Sequence, residues 1–177
     1  MVKIGYIVGS LAADSINRKL AGLIVDQAPQ RAELVEISIA ELPLYDRHMD
    51  EDFPQTLSDF KSQVAGVDGL LVVSPEHNQS YPAAVKNAID VLTRGGSREL
   101  DGLKVGIAGA SPGRFGSINS QAQLRQFLPT QGVQLMGSPI LAVSVGKDTF
   151  DDHGAADSAT TRRAKAYIEA FAEFVEG

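Results

Sequence analysis

Between Pro75 and Pro82, six consecutive residues carry hydrogen-bonding side chains: Glu76, His77, Asn78, Gln79, Ser80 and Tyr81. Such a run can hold a flat polar ligand, or it can be a strand-to-helix loop made polar by water. A second run, residues 9–17, combines Gly9 with three short hydroxyl or amide side chains, Ser10, Ser15 and Asn17, ahead of a helical pattern. Backbone N–H groups at a helix start attract anions, so this composition suits a phosphoryl group held without a metal. Capping of the helix by Asp14 or Ser15, an effect of about 1 kcal/mol, explains the same residues. The run is neither a Walker loop nor a GxGxxG turn, because no glycine precedes Lys-Ser or Lys-Thr and the glycine spacing is wrong.

A third run, residues 109–117, holds Gly109, Ser111, Gly113, Arg114, Phe115, Gly116 and Ser117. Its glycines admit a flat ligand close to the backbone, and Ser111 and Ser117 offer hydroxyls. Arg114 either pairs with an anion on a substrate or stays solvated, and Ser117 also suits a helix cap. Tyr81 and Phe115 are candidate walls of a substrate pocket, with burial as the alternative. His77 is a candidate proton donor to a product, provided that it lies within hydrogen-bond reach.

Each run sits where a strand ends. Strands are expected over 3–8, 32–37, 69–74 and 103–108, with a fifth split between 133–135 and 140–143. Helices are expected over 15–27, 55–65, 82–94, 117–128 and 160–175, the third closed by Gly95-Gly96. Strict alternation implies βαβ units around a parallel sheet, and in such sheets ligands bind beyond the carboxyl ends of the strands. The 38–54 segment, with Leu42-Pro43-Leu44 and an acidic patch, is long for a connection and should cover a site or make a contact.

A length of 177 residues fits a single domain spanning 1–177. The absence of cysteine excludes disulfides, thiolate metal sites and cysteine nucleophiles. His48, His77 and His153 lack metal-ligand spacing, so no metal site is expected. A net charge of −6 without any Lys/Arg block argues against nucleic acid as partner. No apolar run approaches the roughly 20 residues that cross a bilayer, and the first residues read as a strand and not a secretory signal, so the expected location is cytoplasmic.

Ser10, Ser15-Ile16-Asn17, Ser74-Pro75-Glu76-His77-Asn78 and Lys86-Asn87-Ala88-Ile89-Asp90 together resemble the NADPH-dependent FMN reductases of flavodoxin-like fold, the group with bacterial quinone, chromate and azo-dye reductases. The likeness continues through Leu42-Pro43-Leu44-Tyr45-Asp46, Gly113-Arg114-Phe115-Gly116 and Gln121 to Gln126. It implies a three-layer α/β sandwich with a five-stranded parallel sheet in the order 2-1-3-4-5. It also implies FMN as cofactor, NADPH or NADH as co-substrate, and ping-pong reduction of quinones or similar small acceptors. By the resemblance, Ser10, Ser15, Ile16 and Asn17 serve the FMN phosphate. Pro75, Glu76, His77, Asn78 and Ser80 follow the ring, Ser111 and Gly113 meet its far edge, and Tyr81, Arg114 and Phe115 face the substrate.

Relatives of this kind form homodimers or homotetramers, for which Asn119, Gln123, Arg125 and Gln126 on the fourth helix are contact candidates. The chain departs from the pattern at Ala12, where many relatives carry arginine, at Asp14, which adds a carboxylate beside the phosphate loop, and at His77, where tyrosine is usual. A flavodoxin-like electron carrier or a non-catalytic flavin-binding module is the alternative reading.

Overall fold

The structure is a computed structural model describing residues 1–151 and 154–177, which leaves His153 outside the described residues. Its strands are β1 (Val2–Val8), β2 (Ala32–Glu36), β3 (Gly69–Val73), β4 (Lys104–Ser111), β5 (Gln134–Leu135) and β6 (Leu141–Ser144). The helices are α1 (Ile16–Asp26), α2 (Gln55–Ala65), α3 (Ala83–Val91), α4 (Ile118–Phe127) and α5 (Ser158–Glu176). All strand pairs are parallel in the order β2-β1-β3-β4, with β5 and β6 both beside β4. This is the expected flavodoxin-like order 2-1-3-4-5, its last strand split in two.

β3 is buried at all five positions, as a central parallel strand covered on both faces must be. Its alternate residues divide between two cores. Leu70 and Val72 pack with Leu57 and Phe60 of α2, Val85 and Ile89 of α3 and Leu124 of α4. Leu71 and Val73 pack with Leu20 and Ile24 of α1 and Tyr167, Ile168 and Phe171 of α5. The sheet is therefore the middle of three layers, and β3 feeds both.

Two element ends differ from expectation by three residues. α3 stops at Val91 and not at residue 94. There the Thr93 hydroxyl donates to Asp90 O at 2.9 Å, and the buried Lys61 ammonium bonds the carbonyls of Arg94 and Ser97, drawing the chain into a turn. β4 runs three residues beyond 108, because Ala108 to Ser111 pair with Leu141 to Ser144 of β6.

α5 starts at an Asp157 cap that accepts from Ala159 N and Thr160 N at 2.8 Å each. Hydrogen bonds from the Thr160 amide and hydroxyl, more than anything else, hold its carboxyl below the usual carboxylate value. A depressed folded pKa contributes stability that is present above the unfolded value and is lost as pH falls through the folded one. Asp157→Ala is accordingly expected to cost about 1 kcal/mol near neutrality. In urea unfolding, that difference from the parent should close as pH falls below about 3.9.

Candidate functional site

The first and second loops leave the sheet at one level, which β4 passes at Ala108 before it ends at Ser111. Val8, Val73 and Ala108 are register partners, Gly9 N donates to Val73 O at 2.8 Å, and Ser74 N donates to Ala108 O at 2.8 Å. β1 feeds α1 on one face and β3 feeds α3 on the other, so the first and second loops diverge where the strand order reverses. The cleft between them is where a parallel sheet accepts a ligand.

The first loop is an array of donors. The amides of Ser10 through Asp14, and those of Ile16 and Asn17, donate to no described residue. Ser15 is the N-cap of α1, its Oγ accepting from Arg18 N at 3.1 Å, which leaves the hydroxyl proton available. The Ser10 hydroxyl has no partner among the described residues. Asn17 is buried, and its amide spans to β4: Nδ2 donates to Ala110 O at 2.9 Å and Oδ1 accepts from Ala110 N at 2.8 Å. This reciprocal pair fixes the start of α1 against the strand that carries the third loop. Ile16 is half-buried against the α1/α5 core. Ala12 and Asp14 are exposed, and the nearby Arg18 guanidinium is engaged with Glu36 at 2.9 Å, so the residues of this turn supply no free cation.

The second loop is pinned at both ends. Pro75 is buried, with its Cδ 3.0 Å from where a Cβ on Gly9 would lie. Asn78 and Gln79 both have left-handed backbone, φ 47° and 63°. They form a tight turn closed by His77 N to Ser80 O at 2.8 Å and Ser80 N to His77 O at 2.9 Å. Asparagine accepts that conformation readily, whereas a glutamine there is strained. Gln123 of α4 clamps the turn, its Nε2 donating to Gln79 O at 2.7 Å and its Oε1 accepting from the Ser80 hydroxyl at 2.6 Å. The His77 imidazole has no hydrogen-bond partner among the described residues. Tyr81 stacks on Phe127 with centroids 6.2 Å apart, so it is part of the wall between α3 and α4.

Glu76 joins the second loop to the start of α4. Its Oε2 accepts from Asn119 N at 2.9 Å and Ser120 N at 3.2 Å, and its Oε1 accepts from Asn119 Nδ2 at 3.2 Å. A carboxylate from 43 residues away thus caps α4 and meets the positive end of its dipole. Beneath it, the buried Ser74 and Ser120 hydroxyls meet at 3.1 Å. Ser117 makes no side-chain cap bond at α4, and its Oγ accepts from Gln121 Nε2 at 3.0 Å.

Within the third loop the Ser111 hydroxyl donates to Gly116 O at 2.6 Å, and Gly113 N donates to Ser111 Oγ at 3.2 Å. Ser144 of β6 donates to Gly113 O at 3.0 Å. Gly116, at φ +60°, sits where a Cβ would come 2.9 Å from the Val143 backbone. Phe115 stands 63% exposed with the Arg114 guanidinium 5.7 Å from its ring centre. The amides of Glu76, Asn78, Gln79 and Tyr81 in the second loop, and of Arg114 and Phe115 in the third, donate to no described residue.

Of the four contact candidates on α4, Asn119, Gln123 and Arg125 are committed within the chain, Arg125 Nη1 donating to Met136 O at 2.9 Å. Gln121, whose Nε2 also donates to Leu141 O at 2.8 Å, latches α4 to β6. A weak apolar stripe along α4 with glutamines at 121 and 123 was the only local signal of these roles.

A concavity of about 480 Å3, lined by Ala13 and Asp14 of the first loop, by α1 and by residues between 154 and 161, includes no residue of the second or third loop. Among the described residues, no three His, Asp or Glu side chains cluster as a metal site, and no helix is long and apolar enough to cross a membrane.

An unengaged amide array at a helix start, beside two further loops with free backbone donors, fits a ligand with a phosphate at one end and a flat ring with polar edges at the other, as FMN has. The comparisons agree. Residues 2–148 match the family described as NADPH-dependent FMN reductase. A 2-hydroxy-1,4-benzoquinone reductase of Burkholderia sp is 36% identical over 171 residues, covering 96% of this chain and 92% of its own. A quinone reductase of Pseudomonas putida is 31% identical over 175 residues, with coverage of 98% and 94%. The structure of FerB, a flavoenzyme NAD(P)H:(acceptor) oxidoreductase from Paracoccus denitrificans, superposes with a TM-score of 0.92 at 30% identity, covering 99% of this chain and 98% of that one. The chain belongs to the NADPH-dependent FMN reductase family.

Proposed function

We propose that this single flavodoxin-like domain is a quinone reductase whose three loops hold FMN. In this reading the phosphate rests on the 10–17 turn, the ring along Pro75 to Ser80, and its far edge at Ser111 and Gly113. The observation that carries the reading is the run of unengaged amides at the start of α1. Bound FMN supplies the hydride acceptor and donor; the protein binds, orients and shields.

The chain's residues divide that work. Ser10 and Ser15 give hydroxyl protons to phosphate oxygens, and Ile16 and Asn17 give backbone N–H groups. The Asn17 side chain keeps the phosphate turn in register with β4. Glu76 acts through its backbone amide, because its carboxylate is spent on α4. With the Asn78 amide it donates to the polar edge of the ring, where negative charge accumulates on reduction. Tyr81, Arg114 and Phe115 border the open face, where NAD(P)H docks and is then replaced by the acceptor. His77, with an imidazole free of described partners, is positioned in the loop to protonate a reduced product.

The family resemblance supports a homodimer or homotetramer, which light scattering reads directly. Dependence on NAD(P)H supports a cytoplasmic location.

Mixing the protein with FMN, NADPH and a quinone tests the function. Rapid NADPH oxidation that requires FMN is expected. Bound FMN without oxidation would assign the chain to the carrier class, and no FMN binding would end both readings. Because Ala12 and Asp14 leave the phosphate turn short of positive charge, Ala12→Arg is expected to tighten FMN about ten-fold, or about 1.4 kcal/mol, without tightening riboflavin. Fluorescence titration of both flavins checks this.

A further inference from the structure

A second concavity adjoins the loops and is unlike them in chemistry. It holds about 220 Å3 and is walled by Leu11, Ile39, Ala40, Leu42, Leu44, Ala83, Ala84 and Asn87. Leu11 belongs to the first loop and Ala83 follows Pro82 at the end of the second, so the groove shares wall residues with the chain that forms both loops. No ionisable side chain lines it. Its one polar side chain, Asn87, is committed: Oδ1 accepts from Tyr45 N at 2.8 Å and Nδ2 donates to Pro43 O at 2.9 Å. That pair holds the 42–45 segment down as the outer wall. Leu44 is 77% exposed and Leu11 55% exposed, two large apolar side chains that no packing within the chain accounts for.

From this we infer that the groove is an acceptor subsite that takes the hydrocarbon part of a substituted quinone. The inference rests on the quinone reductase reading and adds no chemical step to it. The wall offers no charged and no free hydrogen-bonding side chain to a phosphate or a ribose, so it suits an apolar body better than NAD(P)H. It rewards apolar area, and its size suits one or two fused rings with a short alkyl group better than a dinucleotide. Selectivity between acceptors then comes from the body of the quinone, since its carbonyls are common to all of them.

Leu44→Ser removes the most exposed part of the wall, and Leu44→Met restores its apolar character. Two readouts test the subsite. In steady-state kinetics with the FMN-loaded protein, the KM ratio of 2-methyl-1,4-naphthoquinone to 1,4-benzoquinone should rise about ten-fold in Leu44→Ser and return in Leu44→Met. In equilibrium dialysis without NAD(P)H, the naphthoquinone Kd of the oxidised protein should rise by a similar factor. A ratio and a Kd both within two-fold of the parent, or a parent that does not bind the naphthoquinone, would overturn the subsite. Failure of the reductase reading is seen separately, as no NAD(P)H oxidation with either quinone, while dialysis still scores the groove.

Discussion

Gly109→Ala is expected to destabilise the protein by about 3 kcal/mol or more, lowering Tm by about 6 to 12 °C for a chain of this size. A Cβ at this position would lie 2.1 Å from Ser74 O and 2.4 Å from Ser117 Oγ. Neither neighbour can yield. The Ser74 amide is held by Ala108 O at 2.8 Å, and Ser117 is buried with its hydroxyl engaged by Gln121. Relief would have to separate the second loop from the third at their common base. Gly22→Ala is the matched control, since nothing lies within 4 Å of its Cβ and its place inside α1 favours alanine by about 1 kcal/mol. Thermal unfolding should move the two variants in opposite directions, and a Gly109→Ala Tm within a degree of the parent would show that the loops are not wedged together as described.

Glu76→Ala is expected to strike the site with less damage to the core. The carboxylate accepts three hydrogen bonds at the start of α4, and its loss should cost about 1.5 to 3 kcal/mol. In the proposed reading the second loop follows the flavin ring and α4 succeeds the third loop, so FMN should bind about ten- to a hundred-fold more weakly at a temperature where circular dichroism shows the variant folded. Glu76→Gln keeps an acceptor oxygen but loses the charge and presents an NH2 group to a donor, so it should fall between the parent and Glu76→Ala. Unchanged FMN affinity in Glu76→Ala would mean that the cap on α4 and the flavin site are independent.

Much of the fold was legible because periodicity is a local property. β3 reads as a buried strand from the four apolar residues Leu70 to Val73, and α5 reads as a helix from the stripe of Ala164, Tyr167, Ile168, Phe171, Phe174 and Val175. β4 beyond residue 108 was not legible. Gly109-Ala110-Ser111-Pro112 has the composition of a loop, yet Gly109 is a glycine because Ser74 O leaves no room for a side chain, and the segment is a strand because β6 pairs with it. The end of α3 was set by Lys61 on another helix, which no local pattern could announce.

The three loops were legible as polar or glycine-rich runs, and the topology brings the first two level beside β4, which carries the third. Their internal wiring was not. Nothing near Glu76 in sequence says that its carboxylate faces Asn119 and Ser120, and nothing near Gln123 says that it clamps the Asn78-Gln79 turn. Asn17 read as a phosphate ligand from its position at a helix start; its amide is instead paired with Ala110, and its backbone N–H is what faces no described partner. Short polar side chains at helix starts do not declare whether they serve a ligand or a neighbouring strand, because either partner satisfies the same hydrogen-bonding groups.

In the proposed reading the amides of the 10–17 turn hold the phosphate of FMN. Fluorescence titration of the flavin-free protein with FMN and with riboflavin, which lacks the phosphate, tests it most directly. The account predicts saturable binding of one FMN per chain and an affinity for riboflavin weaker by at least about ten-fold, the loss of one charge-assisted contact. Equal affinities, or no binding of FMN, would contradict it.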